Sequence, residues 1–195
     1  MTEPLKLELV LDSESHARAR SVVAAINGRF PQGRGETGQT ARGRGGESGA
    51  ASGESGSRQS IAITVPSEYR DDAATFLELL RYTRVDPSYP EEFARRYVEE
   101  LKASPAIGEQ LGWCLKAVGK ISIPFLVPLY DYPEMVPRMT ALEAGAFLGD
   151  ARAAPHLIQL ARTGTPGVKT QAIRLLSSWL AGKRWRVLTA VRCGR

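Results

Sequence analysis

Pairs of neighbouring acidic residues come closest to a catalytic pattern in this sequence. The pairs are Asp71-Asp72, Glu91-Glu92 and Glu99-Glu100. General acid–base chemistry needs such carboxylates in a cleft that shifts their pKa values. Each pair falls at a predicted helix start or on an exposed helix face. We therefore predict that these acids are solvated and not catalytic.

Histidines and cysteines, the usual nucleophiles and metal ligands, are scattered. His16 and His156 each stand alone, at helix-surface or helix-start positions. Cys114 lies in an apolar helical pattern and is predicted to be a small core residue. A disulfide between Cys114 and Cys193 stays open as an alternative. No metal-site spacing, P-loop, dinucleotide fingerprint or G-x-S-x-G elbow occurs. The sequence thus predicts no catalytic residue, no cofactor-binding residue, no metal ligand and no small-molecule substrate.

The segment 31–60 differs in kind from the rest of the chain. It consists mainly of Gly, Ser, Arg, Glu and Gln and has no large apolar residue, so it predicts a disordered insertion. Its Arg42–Gly46 stretch resembles an RNA-binding RGG element. That element is single, lacks aromatic residues and is mixed with glutamates, which favours a flexible spacer.

Composition and charge describe an ordinary globular chain. Hydrophobic residues make up 43% and charged residues 24%, enough to bury a core, and the net charge is +5. This mild excess favours an acidic partner. The two apparent folded parts look nearly balanced, which disfavours nucleic acid. No run of 18 apolar residues predicts a membrane span. Residues 1–10 lack the pattern of a secretory signal.

Two strand–helix units flank the insertion. Leu5, Leu7, Leu9 and Leu11 alternate with other residues and predict a strand, and a helical pattern follows up to Phe30. Ile61 to Val65 predicts a second strand, and Asp71-Asp72 opens a second helix. We therefore expect an α+β module over 1–88, in which a small sheet with open edges is covered by two helices.

The remainder predicts an all-α region over 89–181 with an internal repeat. Pro124 to Leu129 aligns with Pro155 to Leu160, an offset of 31 residues, and Ala141-Leu142 aligns with Ala172-Ile173. Two helices in a period of about 30 residues are typical of an α-solenoid, which needs three or more stacked units for stability. From Gly182 the pattern breaks, which predicts an irregular basic tail over 182–195.

The repeated unit resembles a HEAT or PBS-lyase-type HEAT-like repeat. The residues that carry the resemblance are Pro124–Leu129, Met139–Ala144, Leu148-Gly149-Asp150 and Pro155–Leu160. The resemblance covers roughly 105–180 and implies a scaffold or adaptor that binds other proteins. A plain helical bundle stays open as the alternative. A lyase-type enzyme would need acid or histidine side chains inside the stack, and the sequence shows none.

The segment from about Leu5 to Val85 is similar to part of the bacterial flagellar P-ring protein. The motif Ala25-Ile26-Asn27-Gly28-Arg29-Phe30 ends a helix, and Val65-Pro66 ends the next strand. The resemblance implies a structural, non-enzymatic subunit of the flagellar basal body that self-associates into a periplasmic ring. The family has a signal peptide and a longer chain, so a cytoplasmic location and a generic α/β module stay open.

From these patterns we predict a non-enzymatic assembly protein that acts through protein–protein contacts. The favoured role is in the flagellar basal body, and the alternative is a HEAT-like adaptor unrelated to the flagellum. The candidate contact regions are the Leu5–Leu11 strand and the turns at Tyr130–Pro133 and Thr163–Gly167.

Overall fold

A computed structural model describes residues 5–10, 16–30, 60–86 and 88–192, and within these ranges it describes only the backbone of residues 16, 60, 62 and 181–192. The chain divides into two compact units, Met1–Ser88 and Tyr89–Arg195. The first contains a small sheet with helices and the second is helical. The insertion predicted over 31–60 lies outside the described residues except for Ser60, which begins a strand.

The sheet of the first unit has two described strands, β1 (Lys6–Val10) and β2 (Ser60–Thr64), which pair antiparallel. The register places Leu7 opposite Ile63 and Leu9 opposite Ile61. Residues directly opposite each other share a face of the sheet, so the alternating apolar residues of both strands lie together. The predicted pairing of the two strands is confirmed.

Two helices accompany these strands. Helix α1 (His16–Arg29) ends one residue before Phe30, the end of the predicted helical pattern, and α2 spans Ala73–Tyr82. Asp72 caps α2 by accepting a hydrogen bond of 3.2 Å from the backbone N–H of Thr75, as an N-terminal aspartate is expected to do. The rings of Phe30 and Phe76 meet edge to face at 5.1 Å. These aromatic contacts join the end of α1 to α2.

The second unit contains six described α-helices. They are α3 (Pro90–Ala103), α4 (Gly108–Val118), α5 (Ile123–Leu126), α6 (Met135–Phe147), α7 (Ala153–Thr163) and α8 (Pro166–Arg192). Helix α4 packs on α3 and α6, and α7 packs on α6 and most extensively on α8. Their shared core includes Leu101, Leu115, Leu126, Leu142 and Leu157.

Glycine ends two of these helices where the backbone must turn left-handed. Gly119 follows α4 with φ 94°, and Gly149 follows α6 with φ 82°. At the end of α6, the N–H of Asp150 donates to the carbonyl of Gly145, and that of Gly149 donates to Ala146. This pair of bonds is the Schellman arrangement, which satisfies carbonyls that a helix end leaves free. Gly149 therefore closes α6.

Pro137 lies inside the first turn of α6, where a missing N–H breaks no helical bond. One detail differs from the sequence-based expectation. The irregular tail predicted from Gly182 is wrong for 182–192, because α8 continues to Arg192. A single glycine inside a helix costs only about 1 kcal/mol, so Gly182 does not end α8.

One non-glycine residue of the described chain has a positive φ. Tyr89, directly before α3, lies in the left-handed region with φ 54° and ψ 51°. Its ring is 71% exposed. Among the described residues, no single helix combines the length and apolar character needed to cross a membrane; the segments Pro105–Val118 and Lys120–Leu129 meet that condition only as a pair, bent by 114°.

Candidate protein-binding surface

A buried hydrogen-bond network links Tyr130, in the turn between α5 and α6, to Asp150, just after the end of α6. Tyr130 is 1% exposed, and its hydroxyl donates to Oδ2 of Asp150 at 2.9 Å. Oδ1 of Asp150 accepts from the backbone N–H of Arg152 at 3.1 Å and from its Nε at 3.0 Å. Both carboxylate oxygens are therefore engaged. Gly145 lies directly against the Tyr130 ring, because any Cβ there would overlap the hydroxyl.

The environment of this network fixes the protonation states of both acidic groups. Burial raises the pKa of the Tyr130 hydroxyl, and the hydrogen bond to Asp150 raises it further, so the phenol stays protonated. Burial also acts to raise the pKa of the Asp150 carboxyl. Hydrogen bonds from the Arg152 side chain and backbone and from Tyr130 outweigh it, so that pKa is lowered. A carboxylate held in this way stabilises the fold and is not available as a general acid.

His156 lies in the first turn of α7, at a helix start as expected, and its ring has structural partners. Its Nδ1 lies 2.9 Å from Oδ1 of Asp131, a hydrogen bond in which the ring N–H donates. The same oxygen is 3.5 Å from a guanidinium nitrogen of Arg138. The His156 ring also packs on Tyr130, with 5.7 Å between centroids. Asp131 therefore connects the turn after α5 to both α6 and α7.

A second charged contact joins α4 to α6. The buried ammonium of Lys116 lies 2.6 Å from a carboxylate oxygen of Glu143. It also lies 4.1 Å from the centre of the Trp113 ring, a distance at which the ring face attracts a cation. The lysine is thus paired and desolvated at the same time, which is the arrangement of a structural ion pair.

The acidic residues of the predicted pairs lie at helix starts or on helix surfaces. Asp72 caps α2, and Glu91 and Glu92 occupy the exposed first turn of α3, where negative charge favours the helix end. Glu99 pairs with Lys102 one turn along. Within the described parts of the chain, no group of three or more His, Cys, Asp or Glu could hold a metal ion.

The candidate contact regions differ in how accessible they are. At Tyr130–Pro133, Tyr130 is buried and Tyr132 is half-buried, whereas Asp131 and Pro133 are exposed. The Thr163–Gly167 turn between α7 and α8 is largely exposed. Three large apolar side chains on α7 and α8 are also exposed: Ile158, Ile173 and Leu180.

The charge of this helix pair is a signal that the sequence analysis missed. No acidic residue follows Asp150 anywhere in the sequence, whereas nine basic residues do. Of these, Arg162 and Arg174 are exposed on α7 and α8. The apparent charge balance of the folded parts thus hides a local excess of positive charge, which a count of charged residues along the chain would have found. Exposed apolar and basic side chains together suit an acidic, amphipathic partner.

Comparison of the chain with protein-family models, with curated protein sequences and with solved structures finds no match.

Proposed function

We propose that this protein is a non-enzymatic scaffold whose helical unit binds an acidic helical segment of a partner protein along α7 and α8. The observation that carries the proposal is a contrast between aligned positions. Leu142 on α6 is fully buried at 0% exposure, whereas Ile173, its counterpart on α8, is 54% exposed. In a stack of helical repeats, such a position is buried under the next repeat, and it stays exposed where no further repeat packs on it.

Other aligned positions support the HEAT-like arrangement. Leu126 and Leu157 are both buried, as are Leu129 and Leu160. These positions have equivalent roles inside each unit, so their burial does not depend on a neighbouring unit. Positions that would face a following unit behave differently, because Val127 is half-buried and its counterpart Ile158 is exposed. A repeat with an open last face explains both sets of positions.

The chemistry of the proposed partner follows from the surface. Apolar side chains at Ile158, Ile173 and Leu180 offer contacts for one face of a helix. The basic side chains Arg162 and Arg174 lie on the same two helices and would meet carboxylates at its edges. A helix with one leucine face and flanking glutamates satisfies both requirements.

A helical peptide of this design provides the test, beside a matched peptide in which lysine replaces glutamate. We expect the acidic peptide to bind the full chain in a fluorescence anisotropy titration, and added salt to weaken binding. Ile173→Glu should abolish binding. Leu77→Glu, at an exposed leucine of α2, is the matched control and should leave binding unchanged. Equal binding of both peptides, or no effect of Ile173→Glu, would contradict the proposal.

A narrower proposal places the scaffold in the bacterial flagellar basal body, as a P-ring-like subunit. Its support is the observed order of strand, helix, strand and helix in the first unit, with Ala25–Phe30 at the end of α1 and Val65-Pro66 after β2. Deletion of the gene should abolish swimming, and the purified chain should form rings in electron micrographs. If the deletion strain swims normally, the flagellar role is excluded and the adaptor role remains.

A further inference from the structure

One edge of the sheet presents an unused row of backbone groups. The carbonyl of Leu5 accepts a hydrogen bond of 2.9 Å from the N–H of Val65, its partner in the register. Hydrogen-bonded pairs alternate along an antiparallel ladder, so Leu7 and Leu9 also direct their backbone groups at β2. The N–H and C=O groups of Lys6 and Glu8 therefore point away from β2. Among the described residues, no strand pairs with this edge.

The two edges of the sheet are not equivalent. On the outer edge of β2, the outward positions are Ala62 and Thr64, and the next is Pro66. Proline has no N–H, so it blocks extension of a ladder on that side. On the β1 edge, Leu7 and Leu9 are only half-buried, whereas their neighbours Ile61 and Ile63 on β2 are buried. The apolar face is therefore covered least completely at β1.

We propose that β1 pairs antiparallel with β1 of a second copy of this chain about a twofold axis at Leu7. In this register, Lys6 of each copy lies directly opposite Glu8 of the other, and these are the residues whose backbone groups point outward. Both side chains are exposed, and neither forms an ion pair within the described residues. Cross-strand opposite charges stabilise a ladder.

The neighbouring registers are disfavoured by the same two side chains. An axis at Glu8 places the two glutamates opposite each other, and an axis at Lys6 does so for the two lysines. Like charges directly opposite each other destabilise a pair of strands. The Leu7 register also brings Leu7 of both copies together on the apolar face. The result is a continuous four-stranded sheet, β2-β1-β1-β2, and it does not depend on the scaffold role of α7 and α8.

Charge reversal tests this register in the full-length protein. Sedimentation velocity over a concentration series should show a reversible dimer. Lys6→Glu alone and Glu8→Lys alone each create two like-charge pairs, so each should weaken dimerisation about tenfold or more. An equimolar mixture of the two variants should restore it, because every cross-strand pair then joins a lysine to a glutamate. The double variant Lys6→Glu/Glu8→Lys should also dimerise.

Two controls separate the strand pairing from general charge or folding effects. Arg70→Glu makes the same charge change at an exposed position outside the sheet and should leave dimerisation unchanged. Glu8→Pro removes an outward N–H from β1 and should abolish dimerisation, whereas Thr64→Pro removes one from the opposite edge and should not. A chain that stays monomeric at all concentrations, or a variant mixture that fails to dimerise, would overturn the proposal.

Discussion

The Tyr130 hydroxyl and Gly145 are so close that the glycine cannot be replaced without moving the ring. A Cβ at position 145 would lie 2.8 Å from Cζ of Tyr130 and closer still to its oxygen. The tyrosine cannot move freely, because its hydroxyl is bound to Asp150. The absence of a side chain at Gly145 thus leaves room for the Tyr130 ring, whose hydroxyl bonds to Asp150.

We expect Gly145→Ala to lower the free energy of unfolding by about 1–3 kcal/mol, because overpacking outweighs the better helix propensity of alanine. Urea denaturation would measure the loss. Gly167→Ala is the control, since a Cβ there would meet no atom within 4 Å apart from its chain neighbours and the backbone of its own helix. The control should be neutral or stabilising. Equal stability of the two variants would show that the Tyr130 contact is unimportant.

The lowered pKa of Asp150 predicts a pH-dependent contribution to stability. A carboxyl whose folded pKa lies below its ordinary 3.8 stabilises the fold fully above that value and loses the contribution as pH falls through the folded pKa. Asp150→Asn should therefore cost more stability at neutral pH than at about pH 3. Tyr130→Phe should cost about 1.5–3 kcal/mol at neutral pH and less in acid. Unfolding curves at the two pH values would check this, and pH-independent losses would contradict it.

At the scale of elements, aligned helices need not have equivalent energetic roles. Leu142→Ala on α6 should cost about 2–5 kcal/mol, because it opens a cavity in the core. Ile173→Ala on α8 should cost less than about 0.5 kcal/mol, because more than half of the side chain is exposed. Thermal unfolding of both variants is the measurement. Similar losses would mean that α8 is packed on both sides and that no open face exists.

The helices and strands were predictable from periodicity, whereas the contacts between different elements were not. Alternation found both strands, because it is a property of neighbouring residues. The contact between His156 and Asp131 joins residues of different elements, so nothing near either residue indicates it. The course of α8 past Gly182 was missed because one glycine was given more weight than its cost justifies.

At the scale of the whole molecule, the core of the helical unit is made from its own residues. The buried cluster runs from Val98 to Ala172 and includes no residue of the first unit. We therefore expect a fragment of residues 89–195 to fold alone, with helical circular dichroism and a cooperative urea transition. Leu115→Ala should lower its midpoint as it does in the full chain. A fragment without a cooperative transition would show that its core is insufficient.

The left-handed backbone at Tyr89 makes this junction a place where the protein can be made more stable. A non-glycine residue in that region costs about 1–2 kcal/mol, and the exposed ring offers little packing in return. Asparagine tolerates the conformation, so Tyr89→Asn should raise the melting temperature. A β-branched residue tolerates it worst, so Tyr89→Val should lower it. Opposite shifts of the melting temperature in these two variants would show that the backbone at Tyr89 is left-handed in solution.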